Sequence, residues 1–214
     1  MSIDDLFGGD AESRPGQHIA GVAAGIVTDN EDPEGLGRVK LRYPWRSTED
    51  SSDWVRITSA MAGEDRGTFF LPEVGDEVLV AFEHGDIHYP YVIGALWNSD
   101  DVPPVEKADQ TDVRKIRSRS GHEVVFDDTD GAETVEIRTA GGHEVILDDG
   151  ENRVTIRDSA GQSIILDAER ESVTIEGGSK LSLSAQSIEL TGQTIVSISS
   201  DAQLSLTGTP IKLN

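Results

Sequence analysis

From Arg38 to Tyr43 the chain alternates strictly, with Val39, Leu41 and Tyr43 apolar and Arg38, Lys40 and Arg42 charged. A period of two sends successive side chains to opposite faces of an extended strand, so the segment predicts a strand with one dry face and one wet face. Comparable short runs, bounded by Gly, Pro, Asn and Asp clusters, lie at Ile19 to Thr28, Trp54 to Thr58, Glu77 to Glu83 and Tyr91 to Trp97. Five short strands within residues 18–98, together with all three tryptophans, Trp45, Trp54 and Trp97, predict a small closed OB-fold barrel. Residues 1–17 are polar and aperiodic and read as a flexible arm. Residues 99–112 read as an acidic, Pro-containing linker.

From Val113 onward the chain repeats itself. SGHEVVFDD (120–128), GGHEVILDD (141–149) and AGQSIILDA (160–168) align. The strand after each recurs as Val135 with Ile137, Val154 with Ile156 and Val173 with Ile175, spaced 19 residues apart. Each repeat predicts two short alternating strands joined by Gly and Asp turns. Past Gly178 the unit shortens. Leu181 and Leu183, Ile188 and Leu190, Ile195, Ile198, Leu204 and Leu206, then Ile211 and Leu213 mark strands every seven to nine residues.

A strand of four or five residues with one apolar face cannot bury that face alone, and the pattern offers no helix to cover it. About 1.5 to 3 kcal/mol per fully buried Val, Leu or Ile is gained only when neighbours close around a shared axis. A single-chain solenoid usually takes about 20 residues or more per coil, longer than the terminal units supply. The expectation is an all-β chain in which the barrel precedes an intertwined trimeric triple-stranded β-helix over residues 113–214. Its strands would pair between copies, leaving few open edges. Leu181, Leu183, Ile188, Leu190, Ile198, Leu204 and Leu206 are expected on the three-fold axis. Roughly a dozen strands at about 4.8 Å each give a needle on the order of 55 Å long.

Charge narrows the partners. With 40 acidic against 18 basic residues the net charge is -22, and phosphate backbones are bound through Lys and Arg clusters that release counterions. Nucleic acid is therefore not an expected partner. The same acidity suits a surface kept hydrated in high salt, so a halophilic source is an expectation. With no cysteine, the chain has no disulfide frame, thiolate nucleophile or zinc ribbon. The stretch MSIDDLFGGDAESRPGQ lacks the basic and apolar regions of a signal peptide. Synthesis in the cytoplasm without such a signal is expected.

Candidate chemistry is sparse. The basic face Arg38, Lys40 and Arg42 lies where other barrels of this kind read nucleic acid, but a solvated face paired with nearby acids is the preferred reading. The acidic turns Asp127, Asp128, Asp130 and Asp148, Asp149 do not fit a calcium loop: with Gly131 at its sixth position, Phe126 and Ile137 fall where ligands belong. They read as solvated turns. His122 and His143, at equivalent repeat positions, read as turn or surface residues. No nucleophile elbow, HExxH motif or phosphate loop occurs. No catalytic residue, metal site, cofactor or enzymatic activity is expected.

GVAAGIVTDNEDPEGLGRVKLRYPW, followed by WVRITSAMAGEDRGTFFLPEVGDEVLVAFEHGDIHYPYVIGALWN, spans about residues 20–98. These linked segments resemble the N-terminal barrel of phage baseplate assembly protein V and the matching core of type VI VgrG spikes, and the β-repeat resembles the triple-stranded spike of that family. The resemblance implies a homotrimeric central spike of a contractile tail or injection system, assembled into a virion tail or baseplate. It would be driven mechanically through the target envelope on sheath contraction. The absence of a large hub domain ahead of the barrel implies a separate baseplate hub protein at the barrel end. Some spikes of this group carry a His-X-His iron site near the C-terminus; here His18, His84, His88, His122 and His143 all lie well before the final strands. The blunt end TGTPIKLN resembles spikes capped by a PAAR-type tip protein, implying a cap seated on Pro210, Ile211, Lys212, Leu213 and Asn214. Two other classes remain open: a barrel that binds nucleic acid or glycan on a β-stalk, and a polymerising β-solenoid scaffold.

Overall fold

The computed structural model describes residues 19, 21–46, 51–109 and 111–212. The arm expected at residues 1–17 lies outside the described residues, as do Leu213 and Asn214. The described residues are all-β, without an α-helix, and the chain divides into two compact units between Lys107 and Ala108.

In the first unit, strands β1 (Val22–Asp29), β2 (Lys40–Arg42), β3 (Arg56–Ile57), β6 (Glu77–Phe82) and β7 (Pro90–Ala95) form a five-stranded sheet in the order β2-β1-β6-β7-β3. β3 runs parallel to β7, and the other pairs are antiparallel. An antiparallel bridge between Val39 and Val55 joins the two ends of the sheet. That bridge turns the sheet into a barrel, with both edges protected by pairing. All five expected strands are present, shorter than the alternation suggested. A small hairpin, β4 (Ala62–Gly63) with β5 (Arg66–Gly67), was not anticipated.

The barrel core follows the period-two rule: Val27, Val39, Leu41, Tyr43, Val55, Val78, Val80, Phe82 and Val92 are buried. The tryptophans lie outside it, Trp45 and Trp97 being half or more exposed. Gly25 keeps the interior open for its neighbours. A Cβ there would sit 3.3 Å from Val80 Cγ2 and 3.6 Å from Leu41 Cδ1.

The second unit contains a seven-stranded antiparallel meander: β8 (Val113–Arg117), β9 (Glu123–Asp127), β10 (Thr134–Arg138), β11 (Glu144–Asp148), β12 (Arg153–Arg157), β13 (Ser163–Asp167) and β14 (Ser172–Glu176). Each strand pairs with its neighbour along the chain, where pairing between copies had been expected. The reason is local, because connections of four to six residues return each strand beside the last one at little closure cost.

The turns on one side are built alike. Gly121, Gly142 and Gly161 take φ of 85°, 86° and 87°, a left-handed backbone that only glycine adopts freely. Ser118 Oγ, Thr139 Oγ1 and Asp158 Oδ1 each accept a hydrogen bond from the backbone N–H four residues on.

After Glu176 the pattern stops. Residues 177–212 form no strand. The strands expected around Leu181, Ile188, Ile195, Ile198, Leu204 and Ile211 are thus not made by one copy of the chain. A strand exists only as a hydrogen-bonded pair, and within these residues no other segment of the chain supplies the partner.

Candidate trimerisation surface

The register of β8–β14 sorts its side chains into two unlike faces. On one face a first column runs Arg114, Phe126, Val135, Leu147, Val154, Leu166, Val173. Beside it runs a second column of Ile116, Val124, Ile137, Val145, Ile156, Ile164, Ile175. Apart from Arg114 the face is wholly aliphatic or aromatic. Yet Phe126, Ile137, Leu147, Ile156, Leu166 and Ile175 are 44–52% exposed in the single chain. An open groove of about 470 Å³ follows the second column from Ile137 to Ile175 and is also lined by Leu181, the first apolar residue of the strandless stretch. A contiguous apolar surface of this kind marks a contact with another macromolecule.

The opposite face is mixed: Val125, Ile146 and Ile165 stand in its middle column with Glu136, Thr155 and Thr174, and charged and hydroxyl residues pair at its margins. Arg117 Nη1 lies 3.3 Å from Glu123 Oε1, Lys115 Nζ lies 3.4 Å from Glu123 Oε2, and Arg157 Nη1 lies 3.2 Å from Glu144 Oε1. The carboxylates of these pairs are largely covered, with the Glu123 and Glu144 side chains 16% and 22% exposed. The exposed large apolar side chains of the meander all lie on the aliphatic face, whereas Val125, Thr155, Ser163 and Asp167 on the opposite face are buried.

The strandless stretch carries the residues expected on an axis. Leu181, Leu183, Ile188, Leu190, Ile198, Leu204 and Leu206 are each 52–66% exposed. Of the expected cap seat, Pro210, Ile211 and Lys212 are exposed. The 19-residue recurrence of Val135 with Ile137, Val154 with Ile156 and Val173 with Ile175 was the sequence signal of the aliphatic face of β8–β14.

The other candidate groups have local roles. His122 Nδ1 accepts from the Ala140 backbone N–H at 3.3 Å, and His143 Nδ1 accepts from Ser159 N–H at 3.4 Å, so each imidazole ties one turn to the next on the same side of the sheet. Asp127 accepts from both the side chain and the backbone N–H of Thr129, which hold its carboxyl below the usual range. Among the described residues no cluster of three or more His, Asp or Glu side chains is placed to hold a metal. On the barrel, Arg38 is clamped by Asp32 and Glu34 at 2.8 and 2.9 Å. Lys40 lies 3.9 Å from Asp29 and 4.8 Å from the centre of the Trp54 ring. Arg38 and Lys40 of the basic face are therefore engaged with the chain's own acids and an aromatic ring.

A closed five-stranded barrel followed by a meander with an uncovered aliphatic face defines a class: a barrel protein that oligomerises through its β-structured rear half. Comparison with known families agrees. Residues 23–97 match the type VI secretion system/phage-baseplate injector OB domain, and residues 134–205 match the phage baseplate V C-terminal trimerisation domain. The chain carries this injector OB domain and this baseplate V trimerisation domain.

Curated relatives include the type VI secretion system spike protein VgrG1a of Pseudomonas aeruginosa, 34% identical over 109 residues that make up 45% of this chain and 17% of that protein. The spike protein VgrG3 of Vibrio cholerae is 32% identical over 48% of this chain and 11% of its own length. The actin cross-linking toxin VgrG1 of Vibrio cholerae is 29% identical over 58% of this chain and 13% of its own. The chain thus spans less than a fifth of these relatives.

Proposed function

We propose that this protein is the homotrimeric central spike of a contractile phage-like tail or injection system. The observation that carries the reading is the stretch 177–212, where apolar residues recur every seven to nine positions without a strand partner among the described residues. Winding with two further copies supplies those partners and buries Leu181, Leu183, Ile188, Leu190, Ile198, Leu204 and Leu206 about the axis. The match of residues 134–205 to a trimerisation domain supports the same arrangement.

In this reading the barrel docks on a separate baseplate hub, and a PAAR-type tip protein sits on Pro210 to Asn214. The trimer pierces the target envelope when the sheath contracts. No bond is made or broken by the chain, because the work comes from contraction. What the spike supplies is resistance to unfolding during penetration, a kinetic property that interlocked strands provide by removing local routes of opening.

The test is absolute mass. Sedimentation equilibrium of the full chain should give three times 23.1 kDa at all loading concentrations, and a monomer would end the proposal. In a second arm, purified injector particles decorated with antibody to this chain should carry label at one end of the tube. Label distributed along the tube would argue for a scaffold instead.

A further inference from the structure

The hydrogen bonding of β8–β14 is complete within one copy. Each strand is joined to the next by four to six residues and pairs with it over five positions. The turns on one side close on themselves, with Oδ1 of Asp127, Asp148 and Asp167 accepting from the backbone N–H of Thr129, Glu151 and Arg170. On the other side His122 and His143 tie consecutive turns together. Val125, Thr155, Ser163 and Asp167 are buried by their own chain alone.

The tail, residues 177–212, is built differently. All of its residues are exposed and none lies in a strand. Its apolar pairs, Leu181 with Leu183 and Ile188 with Leu190, follow each other at a spacing of seven residues. Sliding one copy past another by one such unit would mate Leu190 with Leu183 almost as well as in register, so a polar, Gly-containing repeat of this kind does not pin its own alignment. Leu181, the apolar residue nearest to β14, already lines the groove beside Ile175.

We propose that β8–β14 pairs up within the single chain first, and that the tail takes up strands only afterwards and in one direction, from Gly177 toward Lys212. Pairing of neighbouring strands closes only short loops and needs no second copy. The tail finds its partners when copies meet. Its first unit, Leu181 with Leu183, then requires only the four residues 177–180 to be ordered, whereas Leu204 with Leu206 would close a loop over the 27 residues 177–203. Growth from the fixed end also sets the register, because each unit is placed by the one before it and slipped pairings are not sampled. For the tail, though not for the meander, the inference rests on the trimeric reading above.

Pulsed hydrogen exchange during refolding of the full chain tests the order. Amides of β8–β14 should gain protection at a rate independent of chain concentration. Amides of residues 181–206 should follow, at a rate that rises about tenfold or more for about a tenfold rise in concentration, as subunit assembly does. Within the tail, Leu181 and Leu183 should lead Leu204 and Leu206. Inserting about twelve Gly and Ser residues after Gly178 lengthens the tether from four residues to about sixteen, and should slow tail protection roughly eightfold while leaving the meander unchanged. The wild-type mass is measured first. A monomer sinks the trimeric reading and the order within the tail with it. A trimer whose meander and tail gain protection together, at one concentration-dependent rate, overturns the order alone. A tail that forms from Lys212 inward, or that ignores the longer tether, overturns the direction.

Discussion

Arg38 grips Asp32 with two parallel hydrogen bonds, Nε donating to Oδ2 and Nη2 donating to Oδ1, both at 2.8 Å. The same carboxylate accepts backbone N–H groups from Glu34, Leu36 and Arg38. One acid therefore organises the connection from β1 to β2 and occupies a base that could otherwise have faced a phosphate.

That pairing has a pH signature. The Arg38 side chain, helped by the backbone N–H donors, holds the Asp32 carboxyl well below its ordinary value. A carboxyl depressed in the folded state contributes stability that is complete above its unfolded value of about 3.9 and is lost as pH falls through the folded one. The barrel's thermal midpoint should drop on acidification below about pH 4. Asp32→Asn should lower the midpoint at neutral pH and flatten that acid limb, and an unchanged limb would remove Asp32 as its cause.

Gly25→Leu should destabilise the barrel. Its Cβ alone would press on Val80, Leu41 and Tyr43 at 3.3 to 3.6 Å, and overpacking of a filled core costs about 1 to 3 kcal/mol. Chemical denaturation followed by tryptophan fluorescence measures it.

Tyr43→Phe should be neutral or stabilising. The Tyr43 hydroxyl is buried without a hydrogen-bond partner among the described residues, and burial pushes its ionisation up to about 12. Removing an unsatisfied hydroxyl recovers up to about 1 to 3 kcal/mol of desolvation. A clear loss of stability would mean that the hydroxyl has a partner.

Glu171→Gly should stabilise the β13–β14 turn. Glu171 sits at φ of 50°, where a non-glycine residue costs roughly 1 to 2 kcal/mol. Gly142→Ala should do the opposite, because φ there is 86° and the new Cβ would meet Ser159 Cβ at 3.3 Å. The two melting midpoints should move in opposite directions.

Ile198→Asp or Leu206→Asp should block assembly, since three like charges would face one apolar axis. Native mass after refolding distinguishes the outcomes. An intact, heat-resistant trimer would place these residues elsewhere.

Much of this architecture was legible in the chain. Alternation in Arg38 to Tyr43 announced which side chains enter the core, since a strand's two faces follow from geometry alone. The recurrence at Val135, Val154 and Val173 announced the repeated hairpins, and LPEVGDEVLVAFEHGD with VIGALWN pointed to the family. The β4–β5 hairpin escaped notice because strands of two residues leave no period to detect.

Which strands pair was decided by tertiary structure. The Val39–Val55 bridge and the parallel pairing of Arg56 with Tyr91 close the barrel between segments far apart in the chain, and no local pattern encodes such a choice. Pairing of β8–β14 within one chain differs, because it follows locally from connections short enough to fold each strand back on its neighbour. The sequence by itself determined where apolar side chains would lie along each strand, because side-chain direction is a local property. Only the fold decided what covers them, because burial depends on partners brought together across the whole chain.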